Sequence, residues 1–334
     1  MLLTLGLPVF NDVEGARRSI PSLIQCVIDS RHQVELIISD NCSDDDVFDV
    51  ATNFCEGISN AIVLRQDENL GFRGNLLAIA QRAQSEYIWF VGAGEIMVPD
   101  EFPRVLDLLE TSKLDWGTVG GIIAPGVELL DLDSMPEVQP ATLTASDGVE
   151  SDLEVVNHLI SLNVFRREVI EFLTCQTTSS QDVKKDYWPH FEAILQFCQH
   201  SKANGKTVTW FNHLPLTVVS PGNPTTKSWD MKQDALDVFF EWYEMCSRLL
   251  QPLPNSMWLE KKTRALRGEH LARFIFMLRK FNVVSRKVVQ AKLRSFHPSP
   301  FWYSVSTASN FMPLWIRFTL ASVRGWLVRL LGKT

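Results

Sequence analysis

The stretch EYIWFVGAGEIMVPDEF, residues 86–102, joins an apolar run to a short turn and then to the start of a helix. The apolar run ends at Gly92-Ala93-Gly94-Glu95. A short apolar run that stops at glycines predicts a fully buried strand. Ligands of open α/β sheets bind at the carboxyl ends of strands, so this turn is expected at a ligand site. It offers that site two glycines and a single carboxylate.

On both sides of this stretch, residues 1–123 alternate short apolar runs with segments of helical periodicity. The predicted strands are LLTLGLPVF (2–10), VELIISD (34–40), AIVLRQ (61–66) and YIWFVGA (87–93). The predicted helices are EGARRSIPSLIQCVIDS (14–30), SDDDVFDVATNFCEG (43–57), with Ser and Asp as capping residues, and RGNLLAIAQRAQS (73–85). Strands that alternate with helices at this spacing predict βαβ units around a parallel sheet.

The rest of the chain divides into an α/β part and a helical part. Residues 125–154 are acidic and rich in Pro and Gly, which predicts a long loop over the site or an edge hairpin. A strand and helix (158–173), a helix with Pro189 in its first turn and Gly205 just past its end, and a strand (206–220) follow. Beyond PGNP at 221–224 the pattern is helical. We therefore predict an α/β domain over 1–220 and a helical, basic region over 221–334.

Composition narrows the class of protein. The chain is 46% hydrophobic and 21% charged, as is usual for globular proteins. Its six cysteines include no CxxC pair and no Cys/His cluster, so we expect reduced thiols in a cytoplasmic chain and no cysteine metal site. The N-terminus lacks the basic segment and cleavage site of a signal peptide.

Charge is distributed very unevenly along the chain. Residues 261–334 contain fifteen Lys and Arg and one acid, Glu269, which gives a net charge of +14. The overall net charge is −7, so the first 260 residues carry a net charge of −21. Arg317, Arg324 and Arg329 interrupt the most apolar segment, which argues against a membrane-spanning helix. Arginines interleaved with Trp and Phe favour a helix at an anionic membrane surface, and a helix packed on the core is the alternative. No nucleic-acid-binding module is visible.

Polar residues follow each of the first four predicted strands. Their sequences are PVFND (8–12), SDNCSDDD (39–46), DENLGFRGN (67–75) and GAGE (92–95). The carboxyl ends of parallel strands share one edge, so these groups are expected to converge. Carboxylates there accept from base or ribose groups, and arginine pairs with phosphate. Helix capping is the alternative role for each aspartate taken singly.

These segments together resemble glycosyltransferase family 2 with its GT-A nucleotide-sugar fold. PVFND resembles the family's P-x-[YF]-N-[ED] opening, IISDNCSDDD its V-[VI]-D-[DN]-x-S-x-D loop, and NLGFRGNL its N-x-G-x-x-x-x-N segment. EYIWFVGAGEIMVPD resembles E-Y-I-x-F-L-D-A-D-D-x-x-x-P-[DE], and LNVFRREVI its F-R-R-x-[VL] turn. The resemblance covers residues 1–123 well and 155–215 loosely, and it leaves the last third almost untouched.

The resemblance implies donor-binding roles for residues at these strand ends. Pro8 and Asn11 would lie along the nucleoside, Asp12 near the ribose, and Asp40 against the base. Asn69, or Asp67 in its place, would hold the adjacent loop. Arg73 would face the diphosphate or the sugar.

The family's D-x-D motif, which holds a divalent cation against the donor diphosphate, falls on Gly92-Ala93-Gly94. Glu95 is the one carboxylate left at this turn. Three alternatives stay open. Glu95 holds Mg²⁺ or Mn²⁺ weakly with water and phosphate oxygens; cations such as Arg73 neutralise the diphosphate without metal; or transfer activity is lost.

Inverting transfer needs a base for the acceptor hydroxyl, and the family places it near the start of a helix before a Gly-[KY]-x-[IV] strand entry. Gly205-Lys206-Thr207-Val208 matches that entry. The preceding segment offers Glu192, which the spacing favours, then His190, then Asp186. Packing or capping by His190 and a solvated Glu192 are the alternative.

The resemblance thus predicts a glycosyltransferase that moves a hexosyl or deoxyhexosyl group from a nucleotide-sugar to a glycan or lipid-linked acceptor in surface polysaccharide synthesis, with inversion. The basic tail predicts peripheral attachment to the inner face of the membrane. The alternative is an inactive nucleotide-sugar-binding or scaffold protein on the same fold. We expect no nucleic-acid partner.

Overall fold

The computed structural model describes residues 1–30, 33–123, 141–143, 160–173, 189–206 and 208–219, together with Lys287, Val289 and Gln290. The chain divides into two compact units, Met1–Ser228 and Trp229–Thr334. The predicted domain boundary at 220/221 and the helices predicted for the tail lie outside the described residues and stay predictions. Within the residues that the structure describes, no helix is both long and apolar enough to cross a membrane.

The first unit is an α/β structure. Its described strands are β1 Leu3–Val9, β2 Val34–Asp40, β3 Ala61–Arg65, β4 Tyr87–Phe90, β5 Ile96–Met97, β6 Trp116–Ile123, β7 Ala141–Leu143, β8 Asn163–Arg166 and β9 Val208–Val219. Its described helices are α1 Val13–Asp29, α2 Val47–Cys55, α3 Gly71–Arg82, α4 Phe102–Ser112, α5 Arg167–Glu171 and α6 Pro189–Ala203. Short 3₁₀ turns cover Pro99–Glu101 and Ile160–Leu162.

The strands form one mixed sheet in the order β3-β2-β1-β4-β8-β6-β9-β5, with β7 also paired to β9. The first four are mutually parallel, which confirms the predicted βαβ units. β8 runs antiparallel to both of its neighbours, and β9 pairs in parallel with β6. The α/β fold class predicted from the sequence is confirmed.

The core lies where helices cover the parallel half of the sheet. All seven residues of β2 are buried, as expected for a strand covered on both faces. On α1 the buried positions include Ala16, Ile20, Leu23 and Val27, which recur every three or four residues and form one stripe. This stripe belongs to the same buried cluster as Leu3, Leu5 and Leu7 of β1.

Two helices begin two or more residues away from their predicted first residue. α2 begins at Val47 instead of Ser43, and Asp46 at its N-cap position makes no side-chain capping bond. Asp45 takes that role: its Oδ1 accepts from the Val47 N–H at 3.3 Å, and its Oδ2 accepts from the Val13 N–H of α1 at 3.0 Å. α3 begins at Gly71, two residues before the predicted start, so Arg73 lies within its first turn.

Candidate active site

The register of the parallel strands builds one continuous edge. β1 and β2 are aligned so that Val9 lies beside Asp40, and β2 and β3 so that Asp40 lies beside Arg65. On the other side of β1 the ladder continues past β4, since the Val91 N–H donates to the Gly6 carbonyl at 2.8 Å. The predicted convergence of the four strand ends is confirmed, and their loops form a single cluster.

At the end of β1, Asn11 and Asp12 bind backbone groups of neighbouring segments. Asn11 has φ +50, its N–H donates to Ser43 Oγ at 2.9 Å, and its Oδ1 accepts from the Asp44 N–H at 2.8 Å. Asp12 is buried and caps α1 by accepting from the Gly15 N–H at 2.8 Å. Pro8, in register with Ser39, is partly exposed on the same edge.

Asp40 ends β2 and is fully buried. Its Oδ1 accepts from the Ser43 N–H at 3.0 Å, and its Oδ2 lies 3.5 Å from Arg65 Nε. The carboxylate therefore fixes the turn at 40–43, the loop for which a nucleoside contact is predicted. A direct contact between Asp40 and a base stays a prediction.

The second and third loops are joined by two asparagines. Asn41 Nδ2 donates to Asn69 Oδ1 at 2.9 Å and to the Gly71 carbonyl at 3.2 Å, and Asn41 Oδ1 accepts from the Leu70 N–H at 2.9 Å. Asn69 Oδ1 also accepts from the Gly71 N–H at 2.9 Å. The predicted loop-holding role of Asn69 agrees with these contacts. Asn41, which is 3% exposed, is a site residue that the sequence analysis does not predict. The sequence feature that could indicate it is an amide side chain within an aspartate-rich loop.

The turn after β4 is closed by Glu95. The Gly92 N–H donates to Glu95 Oε2 at 2.8 Å, and the Glu95 N–H donates back to the Gly92 carbonyl at 3.1 Å. Ser161 Oγ donates to Glu95 Oε1 at 2.9 Å. A Cβ on Gly92 would lie only 2.9 Å from Glu95 Oε2, so the carboxylate fills the space that a side chain at 92 would need. Both oxygens of Glu95 thus accept hydrogen bonds from the protein itself.

This donor set does not fit a divalent cation held by the protein. Mg²⁺ and Mn²⁺ prefer several oxygen ligands, and Gly92 and Gly94 supply none from side chains. Across the described segments, no three His, Cys, Asp or Glu side chains are grouped so as to hold a metal. The part of Glu95 in metal binding stays a prediction, and its observed contacts are those of a residue that fixes a turn.

The predicted base and the predicted diphosphate-facing arginine contact each other. Arg73 of α3 forms an ion pair with Glu192 in the first turn of α6, and Arg73 Nη1 donates to the Leu173 carbonyl at 3.2 Å. Glu192 and His190 are each 2% exposed, and Arg73 is 8% exposed. The structure thus brings Arg73 and Glu192 together, with His190 two residues away along α6. Asp186, the third candidate, lies outside the described residues.

Comparison with known proteins identifies this architecture. Residues 4–145 match the model of the family described as Glycosyl transferase family 2. No curated protein sequence matches the chain. Among solved structures, S. aureus TarS 1–349 in complex with UDP-GlcNAc is similar at a TM-score of 0.50 and 12% identity, over 97% of this chain and 92% of that one. Its complex with UDP is similar at a TM-score of 0.51 and 12% identity, with the same coverage.

A longer S. aureus TarS structure is similar at a TM-score of 0.52 and 10% identity; the match covers 92% of this chain but only 55% of that one. At such identities the structural likeness shows the fold, and the family match covers the segment with the four strand ends. Residues 4–145 thus match glycosyl transferase family 2, and the fold is that of the GT-A glycosyltransferases.

Proposed function

We propose that this glycosyltransferase binds a nucleoside diphosphate sugar over the carboxyl ends of β1–β4 and transfers the sugar with inversion to a lipid-linked or polysaccharide acceptor. The observation that carries the proposal is the joined cluster of loops after β1, β2 and β3, in which Asn11, Asp40, Asn41 and Asn69 fix the backbone. Two of the similar S. aureus TarS structures are complexes with UDP and with UDP-GlcNAc, which supports a donor of this class.

Glu192 is the proposed base, with His190 as the second candidate. The ion pair with Arg73 orients the Glu192 carboxylate and connects it to the first turn of α3. That turn begins at Gly71, whose carbonyl accepts from Asn41. The proposed base and the donor loops are therefore joined by a short, continuous set of contacts.

An inactive nucleotide-sugar-binding protein is the second candidate. The replacement of both D-x-D aspartates by Gly92 and Gly94 favours it, because these positions supply no carboxylate for a metal. Both candidates bind the donor, but only the transferase converts it.

We further propose that the basic tail attaches the enzyme to the anionic inner face of the membrane, next to a lipid-linked acceptor. The support is the sequence: residues 261–334 carry +14 and interleave Trp and Phe with Arg. Each basic residue near an anionic surface contributes about 1 kcal/mol of attraction, so a few residues suffice.

Calorimetry with UDP, other nucleoside diphosphates and their sugars tests donor binding, and release of nucleoside diphosphate from the sugar donors tests turnover. Asp40→Asn keeps an acceptor for the Ser43 N–H but removes the charge, and we expect donor affinity to fall by about 1–3 kcal/mol. Asp49→Asn, at an exposed position on α2, is the control. Absence of binding to every compound in the wild type would refute the proposal, and binding without turnover would favour the second candidate.

A further inference from the structure

Arg18 of α1 lies directly beside the turn that follows β4. A Cβ placed on Gly94 would be 3.3 Å from Arg18 Nη2 and 3.9 Å from Arg18 Nε. The helix is fastened to this turn next to Arg18, because the Gly94 N–H donates to Ser19 Oγ at 2.8 Å. The guanidinium therefore occupies the side-chain space of position 94.

The hydrogen-bonding state of Arg18 sets it apart from the two other arginines of the cluster. Its Nε–H is buried and has no hydrogen-bond partner among the described residues. Arg65 binds Asp40, and Arg73 binds Glu192. A buried donor without a partner is uncommon in folded proteins and indicates a group that is satisfied by something else.

Asp12 and Glu95, the acids at the ends of β1 and β4, accept hydrogen bonds from groups other than Arg18. Asp12 caps α1 through the Gly15 N–H, and both oxygens of Glu95 bind Gly92 and Ser161. Over the parts of the chain that the structure describes, Arg18 makes no ion pair. A positive charge thus remains beside the ends of β1 and β4.

Glycine at 94 places no side chain against this guanidinium. Gly94 has φ +89, which favours glycine, and an aspartate there would place its side chain against the guanidinium and neutralise it. With glycine, the fork of N–H donors faces no fixed carboxylate at that position. Guanidinium groups bind phosphate oxygens with two parallel hydrogen bonds.

We propose that Arg18 binds the diphosphate of the donor at the turn after β4 and supplies there the positive charge for which Gly92 and Gly94 provide no metal ligands. The inference rests on the proposed donor class. It assigns to α1 a donor contact that the sequence pattern did not indicate. It also assigns the diphosphate contact to Arg18 instead of Arg73, because Arg73 is bound to Glu192.

The test compares UDP with uridine on matched variants, with EDTA present throughout. Arg18→Gln removes the charge, and Arg17→Gln is the control, because Arg17 is adjacent, has a side chain 51% exposed, and lies 3.8 Å from Glu14. We expect Arg18→Gln to lose about tenfold to a hundredfold in UDP affinity, as for the loss of charge-assisted hydrogen bonds, while uridine affinity stays within twofold. Arg17→Gln should bind both compounds as the wild type does.

A second pair of variants covers the case in which Arg18→Gln does not fold. Arg18→Lys keeps the charge but loses the planar fork, so we expect UDP affinity to fall severalfold relative to Arg17→Lys, again with uridine unchanged. Equal UDP affinities of the Arg18 and Arg17 variants, or equal losses for UDP and uridine, would overturn the role of Arg18 and leave the proposed function standing. Failure of the wild type to bind UDP, ADP, GDP, CDP or dTDP both with EDTA and with added Mg²⁺ or Mn²⁺ would overturn both.

Discussion

The ion pair between Arg73 and Glu192 allows a quantitative prediction on stability. The two side chains are 10% and 3% exposed, so both charges have lost nearly all of their water. Glu192→Ala leaves the Arg73 guanidinium buried with its hydrogen bond to the Leu173 carbonyl but without its counter-charge. Removing one partner of a buried pair costs about 3–5 kcal/mol, and we expect the free energy of unfolding to fall by that amount.

The double variant Arg73→Met/Glu192→Met separates the loss of the pair from the burial of a lone charge. Replacing a buried pair by apolar side chains of similar volume is often neutral or stabilising. We therefore expect the double variant to be more stable than Glu192→Ala by several kcal/mol. If Glu192 is also the base, the double variant should fold yet lose about 10²- to 10⁴-fold in turnover.

Urea denaturation followed by far-UV circular dichroism measures these differences. Glu168→Ala, at an exposed position of α5, is the matched control and should change the free energy of unfolding by less than about 0.5 kcal/mol. A loss smaller than about 1 kcal/mol in Glu192→Ala would contradict the reasoning, since it would mean that Arg73 does not depend on Glu192 for its neutralisation.

Three further predictions address the turn, the thiols and the tail. Glu95→Gln should lower UDP affinity by less than about tenfold, and EDTA should lower the affinity of the wild type by a similarly small factor. A loss of UDP affinity above roughly a hundredfold in EDTA, near 3 kcal/mol, would reveal a strong metal site. Burial raises the pKa of Cys26 to about 12 and that of Cys55 to about 11, so both stay protonated at pH 8. Iodoacetamide should therefore modify the partly exposed Cys42 before Cys26 and Cys55, and UDP should slow that reaction if it covers the loop, with peptide mapping as the readout. The full chain should sediment with anionic vesicles at low salt and be partly released at high salt, and a chain ending near residue 313 should bind the vesicles more weakly. If the full chain does not sediment with anionic vesicles at low salt, membrane attachment is refuted.

Part of the structure follows from local properties of the sequence. The four apolar runs of residues 1–93 become β1–β4, since each run is short, apolar and bounded by turn residues. α6 begins at Pro189 and ends before Gly205, as the Pro and Gly positions predict. The shared edge of the strand ends follows as well, because right-handed crossovers between successive parallel strands leave few alternatives.

Other features required the tertiary structure. The antiparallel β8 lies between β4 and β6, and the short β5 pairs with β9, which no local pattern indicated. Their positions depend on which strand edges remain available after the first four strands have paired.

The partners of the candidate site residues were also decided by the tertiary structure. Arg73 meets Glu192 across 119 residues of sequence, and Glu95 meets Ser161 across 66. Arg18 faces Gly94 only because α1 packs along the turn after β4. The sequence by itself determined the βαβ pattern and the group of polar residues at one sheet edge, because both depend on periodicity and strand ends. Among the described residues, the tertiary structure decided which charges are paired inside the protein, because pairing depends on distances between segments that the sequence leaves far apart.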